Sequence, residues 1–496
     1  MAKIDELLAA LIEGRSWALP PDPTERDSER DGVRQLLRAV FRERYHQSAW
    51  GQFQARNALR SAEEDSALYA GVITSENPTS GPYEGTSLVW FPGEHGSVAV
   101  LVIGTNGFGA DAHILGRPGH RRRLEALARL YRGRLWVKPD LLDLQSAVPA
   151  AVTSRWPQID AALKKYGHLI YAAVPITDTS SRQAFEDLLD LFASEHGVKF
   201  KGDAAVRWSV REQAMLGALF PRVDEEELAS LLEQRRFVVL EGPPGTGKTR
   251  LALRVAHRFG EPTIVQFHPA RTYEDFVVGL SPRPVEGGLS FEVRRGDLLV
   301  ANERAQAHRH VLVIDEINRG DLARVLGEAI FLFEVGEPDR TITLPHAFGP
   351  GAGSASFRLS PNLMVLGTRN TADRSIASID LAIRRRFAFV AMWPDLLVVG
   401  SEGEALAMES FKDALRVFTE HADDAGLPLV PGHAYFLDPR PDLGAPGRGQ
   451  RVAGRMRFEL LPLLRSYVGD RLLGPATGEV AGLADRLETR IEEALV

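Results

Sequence analysis

The sequence predicts an α/β protein whose main sheet is parallel and whose strands are joined by crossover helices. The strand-like segment FVVLE (237–241) runs into a glycine-rich turn and then into a helical pattern. Beyond it, apolar strand-sized runs alternate with helical segments, as in parallel sheets with crossover connections. Earlier in the chain, SLVWF and SVAVLVIG (87–104) have the pattern of strands and flank the turn PGEHG. A separate mixed α/β domain is therefore expected before the parallel sheet.

Length and composition limit the class of protein. A chain of 496 residues has room for two or three domains at about 150 residues each. Apolar residues make up 44% and charged residues 25%, which excludes a disordered or fibrous chain. The net charge of -7 gives no overall basic field for nucleic acid or anionic membrane. Because cysteine is absent, disulfides, thiolate nucleophiles and cysteine-ligated zinc are excluded.

The hydropathy pattern predicts a cytoplasmic protein with no membrane partner. The longest aliphatic runs, such as Val98–Ile103, have the length of a strand. A membrane-spanning helix needs about 20 apolar residues. At the N-terminus, MAKIDELLAALIEGRS, acidic residues interrupt the apolar positions before a signal-peptide core can form.

The N-terminal part combines helical and strand patterns. Apolar spacing predicts amphipathic helices over 3–13 and 33–41, and the run HLIYAAVPI (168–176) predicts a strand. A further helical stretch covers 181–197. Residues 117–138 carry eight Lys or Arg against one acid and have a helical apolar face. We favour a solvated basic helix there, and a phosphate-contacting surface is the alternative.

A contiguous segment after the strand 237–241 carries the motif G-x-x-x-x-G-K-[ST]. Its residues are Gly242, Pro243, Pro244, Gly245, Thr246, Gly247, Lys248 and Thr249. The glycines let backbone N–H groups curl around phosphates, and the following helix adds the positive end of its dipole. We expect Lys248 to reach the β- and γ-phosphates and the Thr249 hydroxyl to bind Mg²⁺. The motif predicts a nucleoside triphosphate site.

Two acids complete the predicted site. The apolar strand Val311–Ile314 ends in Asp315 and Glu316, about 70 residues after the phosphate motif. Asp315 is expected to hold the Mg²⁺ shell opposite Thr249, and Glu316 is expected to act as base for the attacking water.

Two further groups follow along the chain. A third predicted strand, Leu363–Gly367, is followed by Asn370, which would orient the water if this strand lies between the other two. An Asx turn at Asn370 is compatible with that role. Three arginines then precede the strand-like FAFVA. We expect Arg385 or Arg386 to be an arginine finger, which supplies positive charge at the γ-phosphate.

Together these segments resemble the AAA+ GTPase subunit of McrBC-type modification-dependent restriction systems. The resemblance rests on GPPGTGKT, FHPARTYEDFVVGL (267–280), VIDEINRG (313–320) and NTADRSIASIDLAIRRRF (370–387). The segments GHAYF (432–436) and ELLPLLRSYV (459–468) are similar to the lid of that family. The resemblance implies an AAA+ P-loop NTPase fold with a C-terminal helical lid.

The resemblance also implies how such a protein works. It implies a hexameric ring with nucleotide at the subunit interfaces, in which Arg319 and Arg385 or Arg386 act on a neighbour's nucleotide. On this resemblance, Asn370 and Asp373 belong to the family's signature site. The implied partners are other copies of the chain, a McrC-like nuclease subunit and DNA, modified or unmodified. The implied substrate is GTP with Mg²⁺, and ATP stays open because Arg369 stands where the family usually has methionine.

These inferences divide the chain into three domains and leave two alternatives. We predict an N-terminal α/β domain for target recognition (1–204), a nucleotide-binding core (205–395) and a helical lid (396–496). VIDEINRG also occurs in MoxR-like ATPases, so a MoxR- or dynein-related protein remodeller is the first alternative. A nucleotide-gated binding module is the second. We expect no nuclease activity, since none of the eight lysines has an acid two residues before it, as the common nuclease motif requires.

Overall fold

The structure, a computed structural model, describes most of the chain. The described residues are 3–13, 35–46, 51–57, 70–78, 81–93, 96–140, 143, 148, 160, 166–285, 288–346, 355–373, 381–401 and 404–495. They form two compact units: Met1–Leu219 with Thr419–His421, and Phe220–Phe418 with Ala422–Val496.

The first unit contains a six-stranded sheet with helices. Its strands are β1 (Phe53–Asn57), β2 (Ala70–Thr74), β3 (Thr86–Gly93), β4 (Gly96–Ile103), β5 (Trp136–Val137) and β6 (Ile170–Ile176). Its helices are α1 (Lys3–Glu13), α2 (35–44), α3 (Ala112–Leu115), α4 (Pro118–Leu130), α5 (Arg182–Glu195) and α6 (Gly202–Leu219). The strand order is β1-β2-β3-β4-β6-β5, and every pairing is antiparallel. The predicted mixed α/β character of this region is confirmed.

Burial explains the aliphatic run at 98–103. Every residue of β4, a central strand between β3 and β6, is buried, so both faces of the strand are covered and both need apolar side chains. The predicted boundary at residue 204 differs from the structure, in which α6 belongs to the first unit. Trp208 and Met215 of α6 lie in the core of that unit, and Trp208 stacks on Phe200 with ring centroids 5.2 Å apart. This packing holds α6 against the core of the first unit.

The second unit contains a five-stranded sheet and most of the helices. The sheet is formed by β7 (Phe237–Gly242), β8 (Thr263–Gln266), β11 (His310–Asp315), β14 (Leu363–Asn370) and β15 (Ala388–Ala391). The helices are α7 (Glu225–Arg235), α8 (Lys248–His257), α9 (Tyr273–Phe276), α10 (Asp297–Arg304), α11 (Leu322–Leu326), α12 (Leu381–Arg384), α13 (Leu396–Gly400), α14 (Ala405–His421), α15 (Arg448–Arg455), α16 (Leu461–Gly469) and α17 (Thr477–Leu495). The strand order is β15-β7-β14-β11-β8, and all pairings are parallel. The predicted parallel sheet and helical C-terminal region are confirmed.

Apolar side chains cover both faces of this sheet. Phe237 and Val239 of β7 pack in one buried cluster, whereas Val238 and Leu240 pack in a second cluster on the other face. Strands buried on both faces need nearly continuous apolar sequence, which is why FVVL and VLVI predicted them.

The register brings the polar strand ends together. In the ladder between β14 and β7, Asn370 lies opposite Gly242, and in the ladder between β11 and β14, Ile314 lies opposite Gly367. β14 therefore lies between β7 and β11, which is the position required for the predicted role of Asn370. The carboxyl ends of parallel strands are where open α/β sheets bind ligands.

Two antiparallel hairpins were not predicted. One joins β9 (Val278–Val285) to β10 (Gly288–Arg295), and a shorter one joins β12 (Ile342–Leu344) to β13 (Ala355–Phe357). The alternating sequence LSFEVRR (289–295) carried the signal of a strand. Among the described residues, no helix is both long and apolar enough to cross a membrane.

Candidate nucleotide-binding site

The segment 242–249, the phosphate loop, links β7 to α8 through two left-handed glycines. Gly245 and Gly247 both have φ of 76°, a conformation that favours glycine. Gly242 allows a close approach, since a Cβ there would lie 2.0 Å from the Met392 carbonyl oxygen. The helix α8 begins at Lys248, within this segment. The backbone N–H groups of the loop and the N-terminus of α8 are the groups with which the motif predicts anion binding.

Lys248 bonds to the loop itself. Its Nζ donates to the carbonyl oxygens of Gly242 at 3.0 Å and Pro243 at 2.6 Å. Burial lowers the pKa of Lys248 to about 8, and the nearby carboxylates of Glu316, Asp315 and Asp373 partly oppose that effect. A bound triphosphate would add negative charge beside this amine and so favour its charged form.

Asp315 accepts two hydroxyl groups on one oxygen. Thr249 Oγ1 and Thr368 Oγ1 donate to its Oδ1 at 2.7 Å and 2.6 Å. The Thr368 hydroxyl also accepts from the backbone N–H of Glu316 at 3.1 Å. The structure thus brings Thr249 and Asp315 together as predicted. Thr368 was missed, although its place just before Asn370 at the end of β14 was the available signal.

This donor set fits Mg²⁺. The ion usually binds through one or two carboxylates together with waters and substrate phosphates, which does not require a cage of protein ligands. No group of three or more histidine, aspartate or glutamate side chains in the described part of the chain has metal-binding geometry. Two buried oxygens near the site, Asn318 Oδ1 and Thr371 Oγ1, have no hydrogen-bond partner among the described residues. Asp315 and Thr249 are the side chains that would hold the ion.

Glu316 has a constrained backbone and an ion-pair partner. Its φ of 54° is left-handed, which is uncommon for a residue other than glycine and is found at functional sites. Arg319 Nε donates to Glu316 Oε2 at 3.2 Å, and Arg319 Nη2 donates to Asp373 Oδ2 at 3.4 Å. In the isolated chain Arg319 therefore contacts carboxylates of its own site, whereas the resemblance implied that it acts on the nucleotide of a neighbouring subunit.

Asn370 ends β14 at the edge where the phosphate loop begins. Its Oδ1 accepts from the Ala372 N–H at 3.2 Å, which forms the Asx turn considered as a compatible role. The next residue, Thr371, donates its N–H to the Gly242 carbonyl at 3.1 Å. The amide is half-buried at the mouth of the site.

The arginines at 384–386 differ in exposure. Arg385 is exposed, whereas Arg386 is buried. Arg384 lies 3.8 Å from Glu241, which also pairs with Arg369 at 3.2 Å. Exposure makes Arg385 the better candidate to reach a neighbouring subunit.

The segment 432–436 packs directly on the phosphate loop. The N–H groups of Gly432 and Ala434 donate to the carbonyls of Pro244 and Gly245, both at 2.9 Å. A Cβ at Gly432 would lie 2.1 Å from the Gly245 carbonyl carbon. The Tyr435 ring covers Gly245 so closely that a Cβ there would lie 2.8 Å from it. The sequence identified this segment as part of a lid but did not predict these contacts.

The basic segment of the first unit is largely paired within that unit. Arg117 and Arg123 both bond to Glu195, whose side chain is 1% exposed. Arg121 pairs with Glu125 at 3.2 Å, and Arg129 donates to the Ala218 carbonyl at 3.0 Å. This pairing favours a structural role over a free phosphate-binding surface.

Comparisons with known proteins agree with the geometry. Residues 237–387 match the AAA domain (dynein-related subfamily). The chain is 28% identical over 337 residues to the EcoKMcrB subunit of a type IV methyl-directed restriction enzyme from Escherichia coli K12, covering 62% of this chain and 72% of that protein. It is 28% identical over 193 residues to the YdiS component of the Bacillus subtilis type II restriction enzyme BsuMI, covering 30% of this chain and 55% of that protein. The chain is 28% identical over 315 residues to RuvB, a subunit of the Holliday junction branch migration complex from Parafrankia, covering 58% of this chain and 73% of that protein.

A parallel sheet with a phosphate loop after β7 and an acid pair at the end of β11 is the arrangement of a P-loop nucleotide-binding domain, and the matched region makes it an AAA domain. Within that class the chain is similar to the McrB subunit and to a second restriction-enzyme component. The resemblance and the fold class predicted from the sequence are confirmed. The roles of the individual site residues stay predictions.

Proposed function

We propose that the chain is a Mg²⁺-dependent nucleoside triphosphatase, with GTP as the preferred substrate, that assembles into a hexameric ring. The ring powers DNA restriction or phage defence by a separate McrC-like nuclease subunit. Hydrolysis in the AAA domain supplies the work, and the first unit recognises the target, which is DNA. The chain itself does not cut DNA.

One observation carries the hydrolytic part of this proposal. Thr249, in the first turn of α8, and Asp315, at the end of β11, share a hydrogen bond of 2.7 Å. This pair is the set of oxygens that a P-loop enzyme uses to hold Mg²⁺ on the β- and γ-phosphates. When bound, the ion neutralises charge that develops during phosphoryl transfer.

Each residue then has a distinct task. The phosphate loop binds the phosphates through its N–H groups, and Lys248 leaves the carbonyls of Gly242 and Pro243 to bind the γ-phosphate. Asn370 orients the attacking water, and Glu316 accepts its proton. Since Arg319 pairs with Glu316 in the isolated chain, the base becomes available when Arg319 moves away.

In the proposed ring, a neighbouring subunit supplies further positive charge at the γ-phosphate. Arg385 is exposed and lies between α12 and β15, so it is held on the body of the AAA domain. We assign Arg385 as the finger that enters a neighbour's site, and Arg319 as a second cation acting there. A finger provides charge where it develops in the transition state.

The DNA and nuclease partners rest on the relatives. Two of the reported relatives are restriction-enzyme components, and one acts in branch migration of Holliday junctions. A motor without a nuclease centre of its own needs a second protein to cut DNA.

The test measures turnover of GTP and of ATP with Mg²⁺, each with and without DNA. A second measurement determines the mass of the assembled protein in the presence of a nonhydrolysable nucleotide analogue. We expect turnover that favours GTP, a hexamer when nucleotide is bound, and DNA left intact with Mg²⁺ or Mn²⁺. A turnover rate that changes neither with DNA nor with the nuclease subunit would contradict the role in restriction. Metal-dependent cleavage that survives repurification would contradict the nuclease-free assignment.

A second candidate function is protein remodelling by a MoxR- or dynein-related ATPase. The observation that favours it is the match to the dynein-related AAA subfamily. Stimulation of turnover by a folded protein substrate, with no response to DNA, would support this candidate.

A further inference from the structure

His433 begins a short helical turn that is fixed against the phosphate loop. The turn, His433–Phe436, is a 3₁₀ helix. The N–H groups of the residues on both sides of His433 donate to carbonyl oxygens of the loop at 2.9 Å. At the other end of the turn, the buried Phe436 packs against Phe411 of α14, with ring centroids 4.9 Å apart. The backbone that carries the imidazole is therefore held from both ends.

One ring nitrogen of His433 accepts a hydrogen bond, and this bond determines where the ring carries its proton. The backbone N–H of Asp395 donates to Nδ1 at 3.3 Å. That N–H is well placed, because the Asp395 carboxylate caps α13 by accepting from the Leu397 N–H at 2.9 Å. Burial lowers the pKa of His433 to about 4; the Asp395 carboxylate opposes this shift and Arg250 adds to it. At neutral pH the ring is therefore uncharged, and its single proton lies on Nε2 because Nδ1 is an acceptor.

The Nε2 atom of His433 lies against the phosphate loop. It is 3.5 Å from the position that a Cβ would take at Gly247, the residue before Lys248. The His433 side chain is half-buried, and within the described part of the chain its hydrogen bond is the one at Nδ1. The N–H groups of a phosphate loop of this kind cradle the α- and β-phosphates. A neutral N–H donor is thus placed beside the segment that would hold those two phosphates.

We propose that His433 is a nucleotide-binding residue whose Nε2–H donates to an oxygen of the α- or β-phosphate. A hydrogen bond to a charged phosphate oxygen is stronger than one between neutral groups. The inference rests on the proposed function, because it requires a nucleotide in the phosphate loop. The contact involves neither the base nor the γ-phosphate. Its loss should therefore affect GDP, GTP and ATP alike.

Two substitutions separate the roles of the two ring nitrogens. His433→Asn places an amide oxygen near the position of Nδ1, so it keeps an acceptor for the Asp395 N–H and removes the donor at Nε2. His433→Gln places an amide nitrogen near the position of Nε2, so it keeps the donor and removes that acceptor. His308→Asn is the matched control, since His308 is exposed and precedes β11, whose other end carries Asp315.

Calorimetric titration measures the affinity of each variant for GDP and for nonhydrolysable analogues of GTP and ATP. We expect His433→Asn to bind all three about 10- to 150-fold more weakly, the effect of losing a hydrogen bond to a charged group. The nucleotide-free thermal midpoint of this variant should not change, because the Asp395 N–H keeps its acceptor. His433→Gln should recover most of the affinity, and His308→Asn should keep all of it.

Three results would overturn the role of His433. The first is affinity of His433→Asn within threefold of the wild type for all three nucleotides. The second is a loss confined to one base or to the triphosphates, which would place the contact at the base or at the γ-phosphate. The third is a lower nucleotide-free thermal midpoint in His433→Asn with no recovery of affinity in His433→Gln, which would show a structural role.

The same titrations separate this inference from the proposed function. If the wild type binds nucleotide but turns over no triphosphate, the proposed hydrolysis fails, and the affinities of the two His433 variants still decide the inference. If the wild type binds none of the three nucleotides, both fail.

Discussion

Thr249 donates its hydroxyl hydrogen to Asp315 across 2.7 Å, although the two residues are 66 positions apart in sequence. Thr249 is the second residue of α8, and Asp315 is the last residue of β11. Parallel strands place their carboxyl ends at one edge of the sheet, so both side chains reach the same point. The bond aligns oxygens where a metal ion would meet the phosphates.

Replacing Lys248 with Ala should abolish tight nucleotide binding. The amine is the cation of the phosphate loop, and truncating one partner of a buried, hydrogen-bonded charge pair costs about 2–5 kcal/mol of binding free energy. Calorimetric titration with a nonhydrolysable triphosphate measures this loss. Affinity within threefold of the wild type would show that Lys248 does not contact the nucleotide.

Nucleotide affinity should fall as pH rises through about 8, the pKa of Lys248. The pKa of Lys248 is lowered from its ordinary value of about 10.4, so in the nucleotide-free protein the amine loses its charge above pH 8. Binding should then take up a proton. Titrations from pH 7 to 9.5 in buffers of different ionisation enthalpy measure both effects.

The same shift has a consequence for folding. Because the folded pKa is depressed, the cost of burying the Lys248 charge is fully present below pH 8 and is relieved as pH rises toward the unfolded value. Lys248→Met should therefore be more stable than the wild type below pH 8, and the difference should shrink above that pH. The nucleotide affinity of Lys248→Met, which is already weak, should not fall as pH rises through 8.

Replacing Glu316 with Gln should leave binding intact and stop hydrolysis. The amide keeps the shape but cannot accept the water proton, and general bases contribute about 10²–10⁴-fold in rate. Single-turnover kinetics together with binding titration separate the two steps. Turnover near the wild-type rate would remove Glu316 from the role of base.

Arg385→Ala should lower kcat by about 10³–10⁵-fold, the range seen for arginine fingers. Because Arg385 is exposed, the thermal midpoint should not change, whereas Arg386→Ala should lower it because Arg386 is buried. Mixing Arg385→Ala with Lys248→Ala should restore part of the activity, since mixed interfaces pair an intact loop with an intact finger. Absence of rescue in rings shown to be mixed would argue against action in trans.

Gly432→Ala should weaken nucleotide binding, because its Cβ would lie 2.1 Å from the Gly245 carbonyl carbon and would displace the phosphate loop. Gly454→Ala is the matched control, since the position is helical and no atom beyond the adjacent residues and the nearby backbone of the helix lies within 4 Å of the added Cβ. The control should stabilise the protein by about 0.5–1 kcal/mol. Equal affinities in the two variants would show that the lid contact does not support the loop.

The sequence alone determined the parallel sheet, the phosphate loop and the acid pair. Each depends on contiguous residues: buried strands need unbroken apolar runs, and the loop needs glycine where φ is positive. Only the tertiary structure decided which distant groups meet there. Thr368 bonds to Glu316 from 52 positions away, and Gly432 closes on Gly245 from a different part of the chain. Arg319 likewise meets Asp373 only because β14 lies beside β11. Such contacts depend on strand order and on lid packing, and neither leaves a local pattern of residues that could be recognised beforehand.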